Sequence, residues 1–196
     1  MIYSLLIGFV IIQFSIVSKQ YFAELSLWFL ASCSFNVSWI LVWHYQLIYA
    51  SALIMLLLLF SLTKIFLLLQ HQAFTSWGEK ILIKLPFTIY LAWICVATIA
   101  NISALLVSLS WNGGILTPSA WTITMICTAG VIGIFIAERY RVPAFLLVLI
   151  WAFFGIYSKW NATENQSISN IALIELILLG ILFLIFQFRF QRKSVS

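Results

Sequence analysis

The sequence predicts an all-α integral membrane protein, a bundle of about seven transmembrane helices. Three observations carry that expectation. Of 196 residues, 64% are hydrophobic and only 8% charged, where an ordinary globular domain is roughly half apolar and a quarter charged. The apolar residues gather in runs close to the ~20 that a helix needs to cross the hydrocarbon core. The charged residues collect between those runs. So few charges cannot cover a soluble surface, which excludes a cytosolic enzyme, a disordered chain and a soluble nucleic-acid binder.

The first run, Met1–Val17, starts without a polar preface and is barely long enough to cross. It has neither the basic start nor the small-residue cleavage site of a signal peptide, so it reads as a span. Leu25–Trp43 and the leucine-rich Leu47–Leu69 follow. Beyond the polar segment His71–Lys84 comes Leu85–Leu109, with Pro86 in its first turn, where a missing N–H costs nothing. A turn at Gly113–Gly114 leads to Pro118–Ala137, which opens on Pro118 by the same logic. Pro143–Tyr157 opens on Pro143, and Ile168–Phe188 closes the series after the polar stretch Lys159–Ser167. No period of 20–50 residues repeats, which excludes a solenoid.

Loop charges set the orientation. Lys19, Lys80, Lys84, Arg139, Arg141, Arg189, Arg192 and Lys193 fall on one side, and Lys159 on the other. The positive-inside rule places the first group and the C-terminus in the cytoplasm and Met1 outside. Lys64, inside the third run, is close enough to snorkel to the basic side. The net charge of +5 therefore points to anionic lipid headgroups, with the bilayer as partner and no nucleic acid. Of nine tryptophans, Trp28, Trp43, Trp77, Trp111, Trp121 and Trp160 fall where an interfacial belt would place them.

Catalytic chemistry is thin. His44 and His71 face opposite sides, so they do not share a metal. Cys33, Cys95 and Cys127 have no metal-ligand spacing and read as small packing residues. No P-loop, dinucleotide fingerprint, zinc-protease helix or nucleophile elbow is present. A retinal Schiff-base lysine is missing from the seventh run, and Glu138-Arg139-Tyr140 ends the fifth, so neither receptor-like reading holds. Glu175 is the one acid well inside a run, a functional hypothesis by default, although its place near the outer helix start equally allows a water-facing carboxyl.

The intramembrane polar residues say more. Asn36 and Asn101 sit at similar distances from the outer ends of two runs that point the same way, which places both amides at similar depth. Trp39 shares the face of Asn36. On the fourth run, Tyr90, Trp93, Ala97, Asn101 and Ala104 recur at three- and four-residue steps and form one stripe. Aromatic walls, small residues that leave room and one directional amide suit a pocket for a flat, greasy ligand. The same stripe also suits plain helix packing, with the amide bridging helices. From the residues alone both stand.

Read together, these segments resemble the TspO/MBR family, bacterial tryptophan-rich sensory proteins related to the mitochondrial translocator protein. The family's third helix carries Asn-x-x-Trp, here Asn36-Val37-Ser38-Trp39, followed by Trp43-His44. Its fifth helix carries Tyr-x-x-Trp-x-x-x-Ala-x-x-x-Asn, which Tyr90, Trp93, Ala97 and Asn101 fit at every position. The resemblance covers Phe35–Leu106. Pro86 stands one turn earlier than the family's proline, and the family's first helix and the lid loop after it have no counterpart. Three spans beyond Asn101 exceed the five-helix core, as in longer bacterial members. The resemblance thus implies a TspO-like core over residues 1–110 and three additional helices over 111–196. It also implies a bacterial plasma-membrane protein that binds porphyrins, other tetrapyrroles or sterols, with no required cofactor. Carried over, the ligand-binding residues are Asn36, Trp39, Tyr90, Trp93, Ala97 and Asn101.

Two functional readings follow: a sensor or carrier for a planar hydrophobic ligand, and a small-metabolite permease without ion coupling that uses the later helices and Glu175. Porphyrin breakdown ranks below both, since the matched region holds no general acid, base or metal site. A homodimer is the further partner that the small-residue spacing Ala129-x-x-x-Gly133 allows, although bundles use the same spacing internally.

Overall fold

The structure is a computed structural model that describes residues 2–16, 21–72, 74, 76–111, 114, 116–161 and 166–192. Met1, Lys19, Gly113 and Lys193, on which parts of the expected topology rest, lie outside the described residues. The described chain is all α, as a bilayer requires of any segment whose backbone must satisfy itself. Six helices are long and apolar enough to cross a membrane.

The chain divides into two compact units, Met1–Ser108 and Leu109–Ser196. The first holds α1 (Ile2–Ile16), α2 (Phe22–His44), α3 (Ile48–Gln70) and α4 (Trp77–Ser108). The second holds α5 (Pro118–Arg139), α6 (Ala144–Asn161) and α7 (Gln166–Arg192).

In the first unit α3 is the central post and packs along both α2 and α4. Its buried residues Ser51, Ala52, Met55, Leu58, Leu62, Ile65, Phe66 and Leu69 recur at helical spacing and form one broad face. α2 buries only Leu25 and Ser32, so most of its surface is left for lipid. α1 leans on the N-terminal part of α4. At 15 residues it reaches ~22 Å, short of a ~30 Å hydrocarbon core. Three rings anchor it: Phe9 meets Phe29 at 5.2 Å and Phe87 at 4.9 Å, and Phe29 meets Phe87 at 5.8 Å, all edge-on.

The fourth span departs from expectation. His71–Lys84 reads as a polar loop in sequence, yet helix begins at Trp77, capped by the Ser76 hydroxyl, which accepts from Gly78 N–H at 3.1 Å. Lys80–Lys84 is a π turn that runs directly into Leu85. Pro86 therefore sits inside a continuous helix, not at its start. A proline there removes one N–H and crowds the preceding turn. The widened turn just before it is where a helix absorbs that misfit.

In the second unit α6 packs along α7, and α5 packs against both. Pro118 is in the first turn of α5, as expected, behind Thr117, whose hydroxyl accepts from Ala120 N–H at 3.2 Å. Gly133 lets Leu149 of α6 seat directly on the α5 backbone. Ala129 and Gly133 are both buried inside this unit, so the small-residue spacing is used in its own packing. α5 ends with Arg141 at φ 54° and Val142 N–H bonded to Ala137 O, a left-handed stop.

Candidate functional site in the first unit

α4 carries the stripe between two neighbours. At its inner end Tyr90 is buried and lies within electrostatic reach of Tyr3 on α1 and Cys33 on α2. Asn36 Nδ2 donates to the Tyr3 hydroxyl at 3.3 Å. Tyr3 thus bonds to Asn36 and lies in the neighbourhood of Tyr90. Trp93 and Ala97, half-buried, continue the stripe outward.

At its outer end Asn101 is buried and faces α3, where the fully buried Ser51 hydroxyl donates to its Oδ1 at 3.2 Å. The two amides therefore address different partners. α2 and α4 run in the same direction, and the facing rings Phe29 and Phe87 set Asn36 level with Ile94 and Asn101 level with Trp43. In the antiparallel α2–α3 hairpin the Trp28–Phe60 contact at 5.7 Å sets Ser51, the partner of Asn101, level with Val37. The two registers bracket Asn101 within the Val37–Trp43 stretch of α2, which holds Trp39.

Level with Asn101, Trp39 stacks on Trp43 with centroids 5.9 Å apart and planes 25° apart. Its indole Nε1 is buried without a hydrogen-bond partner, and so is Asn101 Nδ2. Two buried donors thus lack an acceptor. Such groups cost ~1–3 kcal/mol each when left unpaired, which makes the two together a candidate binding feature. Trp43 in turn borders an open depression of about 510 Å³ lined with His44, Gln46 and Ile48. The indole stack therefore links the buried donors to the outer end of the α2–α3 hairpin.

Of the six expected residues, Asn36 bonds to Tyr3, Asn101 is held by Ser51 and Trp39 stacks on Trp43. Sequence reading missed Ser51 and Tyr3. Ser51 left little signal, because it shares the buried face of α3 with a second serine, Ser61. Tyr3 left none, because its role depends on how α1 leans.

Among the described residues no cluster of metal-binding side chains forms. In the second unit Glu175 fills the notch over Gly130, where an added Cβ would stand 2.5 Å from Oε2. That oxygen is buried and unpartnered.

An α-helical membrane bundle with an aromatic and amide-bearing stripe is the class these features define. Residues 1–186 match the family model described as TSPO-like protein, and the chain belongs to that family. The match runs through both units, α5 and α6 included. No curated protein and no solved structure matches the chain.

Proposed function

We propose that the protein is a membrane sensor or carrier that binds a planar hydrophobic ligand, a tetrapyrrole or a sterol-like molecule, among α2, α3 and α4. The reading rests above all on the paired orphan donors, Trp39 Nε1 and Asn101 Nδ2. A flat apolar body would lie along Trp93 and Ala97 while an oxygen on its rim takes those N–H groups. The ligand needs no cofactor and no metal to be held. Membership of the TSPO-like family and the long apolar helices support an integral membrane protein, and the basic helix ends favour a cytoplasmic C-terminus.

Protoporphyrin titration of the protein in lipid nanodiscs, read by quenching of tryptophan fluorescence, tests the site. Trp93→Phe combined with Asn101→Leu weakens binding by tenfold or more, the scale of one lost contact set of ~1.4 kcal/mol. Saturable binding unchanged in the double variant sinks the assignment. The permease alternative draws on Glu175, an intramembrane acid by default functional. Uptake into proteoliposomes decides between them: a permease moves substrate that a sensor only holds.

A further inference from the structure

We infer that Ser51 is a positioning residue that fixes which end of the Asn101 amide meets the ligand, so that the site selects flat ligands with an oxygen acceptor over flat ligands with an N–H. The inference rests on the pocket reading above and deepens it. A carboxamide offers an acceptor at one end and two donors at the other. A half-turn exchanges the two with almost no change of shape. A buried asparagine alone would therefore meet either kind of ligand.

Ser51 removes that freedom. Its hydroxyl is fully buried, so water does not compete for it. Two acceptors stand within reach of its single hydrogen, Ile48 O at 3.0 Å and Asn101 Oδ1 at 3.2 Å. The Ile48 carbonyl already belongs to the α3 ladder, whose carbonyls accept from the N–H four residues on. Among the described residues Asn101 Oδ1 has no other donor, so the hydrogen satisfies an acceptor that is otherwise bare. The reversed amide would donate Nδ2–H to the Ser51 oxygen and leave Oδ1 bare, and the structure holds the orientation with Oδ1 on Ser51. With Oδ1 held toward α3, Nδ2 turns away from α3 and stays unpartnered, as Trp39 Nε1 does. The site then offers donors only. A ligand carbonyl or carboxylate completes them, whereas a ligand N–H is left without an acceptor, and sites of this kind reject the wrong partner strongly.

Three tricyclic probes of nearly one shape separate the cases: 9-fluorenone carries a carbonyl, carbazole an N–H and fluorene neither. Their binding to the full chain in nanodiscs is compared for the wild type, Ser51→Ala, Asn101→Leu and Trp39→Phe. The wild type prefers fluorenone to carbazole by about tenfold, one hydrogen bond's net worth. Bound fluorenone shows its carbonyl stretch moved to lower frequency than in lipid, a readout that needs no variant. In Ser51→Ala the preference falls toward unity because carbazole gains the freed Oδ1 as acceptor, while fluorenone keeps its shifted carbonyl stretch and fluorene binds as before and reports an intact pocket. A preference retained in Ser51→Ala but abolished in Asn101→Leu overturns the role of Ser51 alone. Carbazole preferred by the wild type overturns the amide polarity. Equal binding of all three probes to all four proteins overturns the pocket reading itself.

Discussion

Phe87→Ala should release α1 from the first unit. α1 is held to the unit through Phe9, which sits on Phe87 at 4.9 Å and on Phe29 at 5.2 Å. Phe87 is fully buried and is the ring through which α4 holds both others. Its two edge-on contacts are worth ~0.5–1.5 kcal/mol each, and the cavity left by Phe→Ala carries the total toward ~3 kcal/mol. No transfer gain from water enters, because lipid tails are as apolar as the core. A loss of ~3 kcal/mol raises the open population of α1 about a hundredfold. Amide hydrogen exchange followed by mass spectrometry in nanodiscs reads that population directly. Peptides of α1 and of the α4 N-terminal turns exchange faster, those of α5–α7 do not, and Phe87→Leu has a smaller effect. Unchanged α1 protection in Phe87→Ala would refute the claim that this ring cluster anchors α1.

Three further outcomes follow from named contacts. Gly130→Ala pushes a methyl against Glu175 Oε2 and lowers thermal stability by ~1–3 kcal/mol, and adding Glu175→Ala restores most of it, a coupling that a double-mutant cycle measures. Gly133→Ala meets Leu149 of α6 and destabilises similarly, with Leu149→Ala as the compensating change. Arg189→Gln breaks the 2.8 Å bridge to Glu138, but both side chains are about half exposed, so the shift in melting temperature corresponds to ~1 kcal/mol or less and shrinks with salt.

Helix positions were legible because a bilayer forces long apolar runs, and all six runs from Leu25–Trp43 onward coincide with helices. The first run is a helix too, described over Ile2–Ile16. Where polarity reads as loop, at Trp77–Lys84, the helix continues, since charged residues at a membrane edge extend a helix as readily as they end it. The stripe on α4 was legible from its spacing. Its partners were not, because they depend on how neighbouring helices are registered, and Ser51 reads in sequence as one more small residue of a packed helix. Pro86 shows the same limit. A proline marks a helix start only if the turn before it is not helical, and here a π turn lets the chain carry through.

The nine tryptophans also supply the most direct test of the central claim, that a ligand is held in the first unit at the level of Trp39 and Asn101. Biosynthetic 5-fluorotryptophan gives each indole a resonance, assigned by single Trp→Phe replacements, in the protein reconstituted in nanodiscs. Titration with protoporphyrin should shift Trp39, Trp43 and Trp93 saturably at one common midpoint, with Trp151 and Trp160 of the second unit unmoved. Saturable shifts confined to the tryptophans of the second unit, with Trp39 and Trp93 silent, would contradict it.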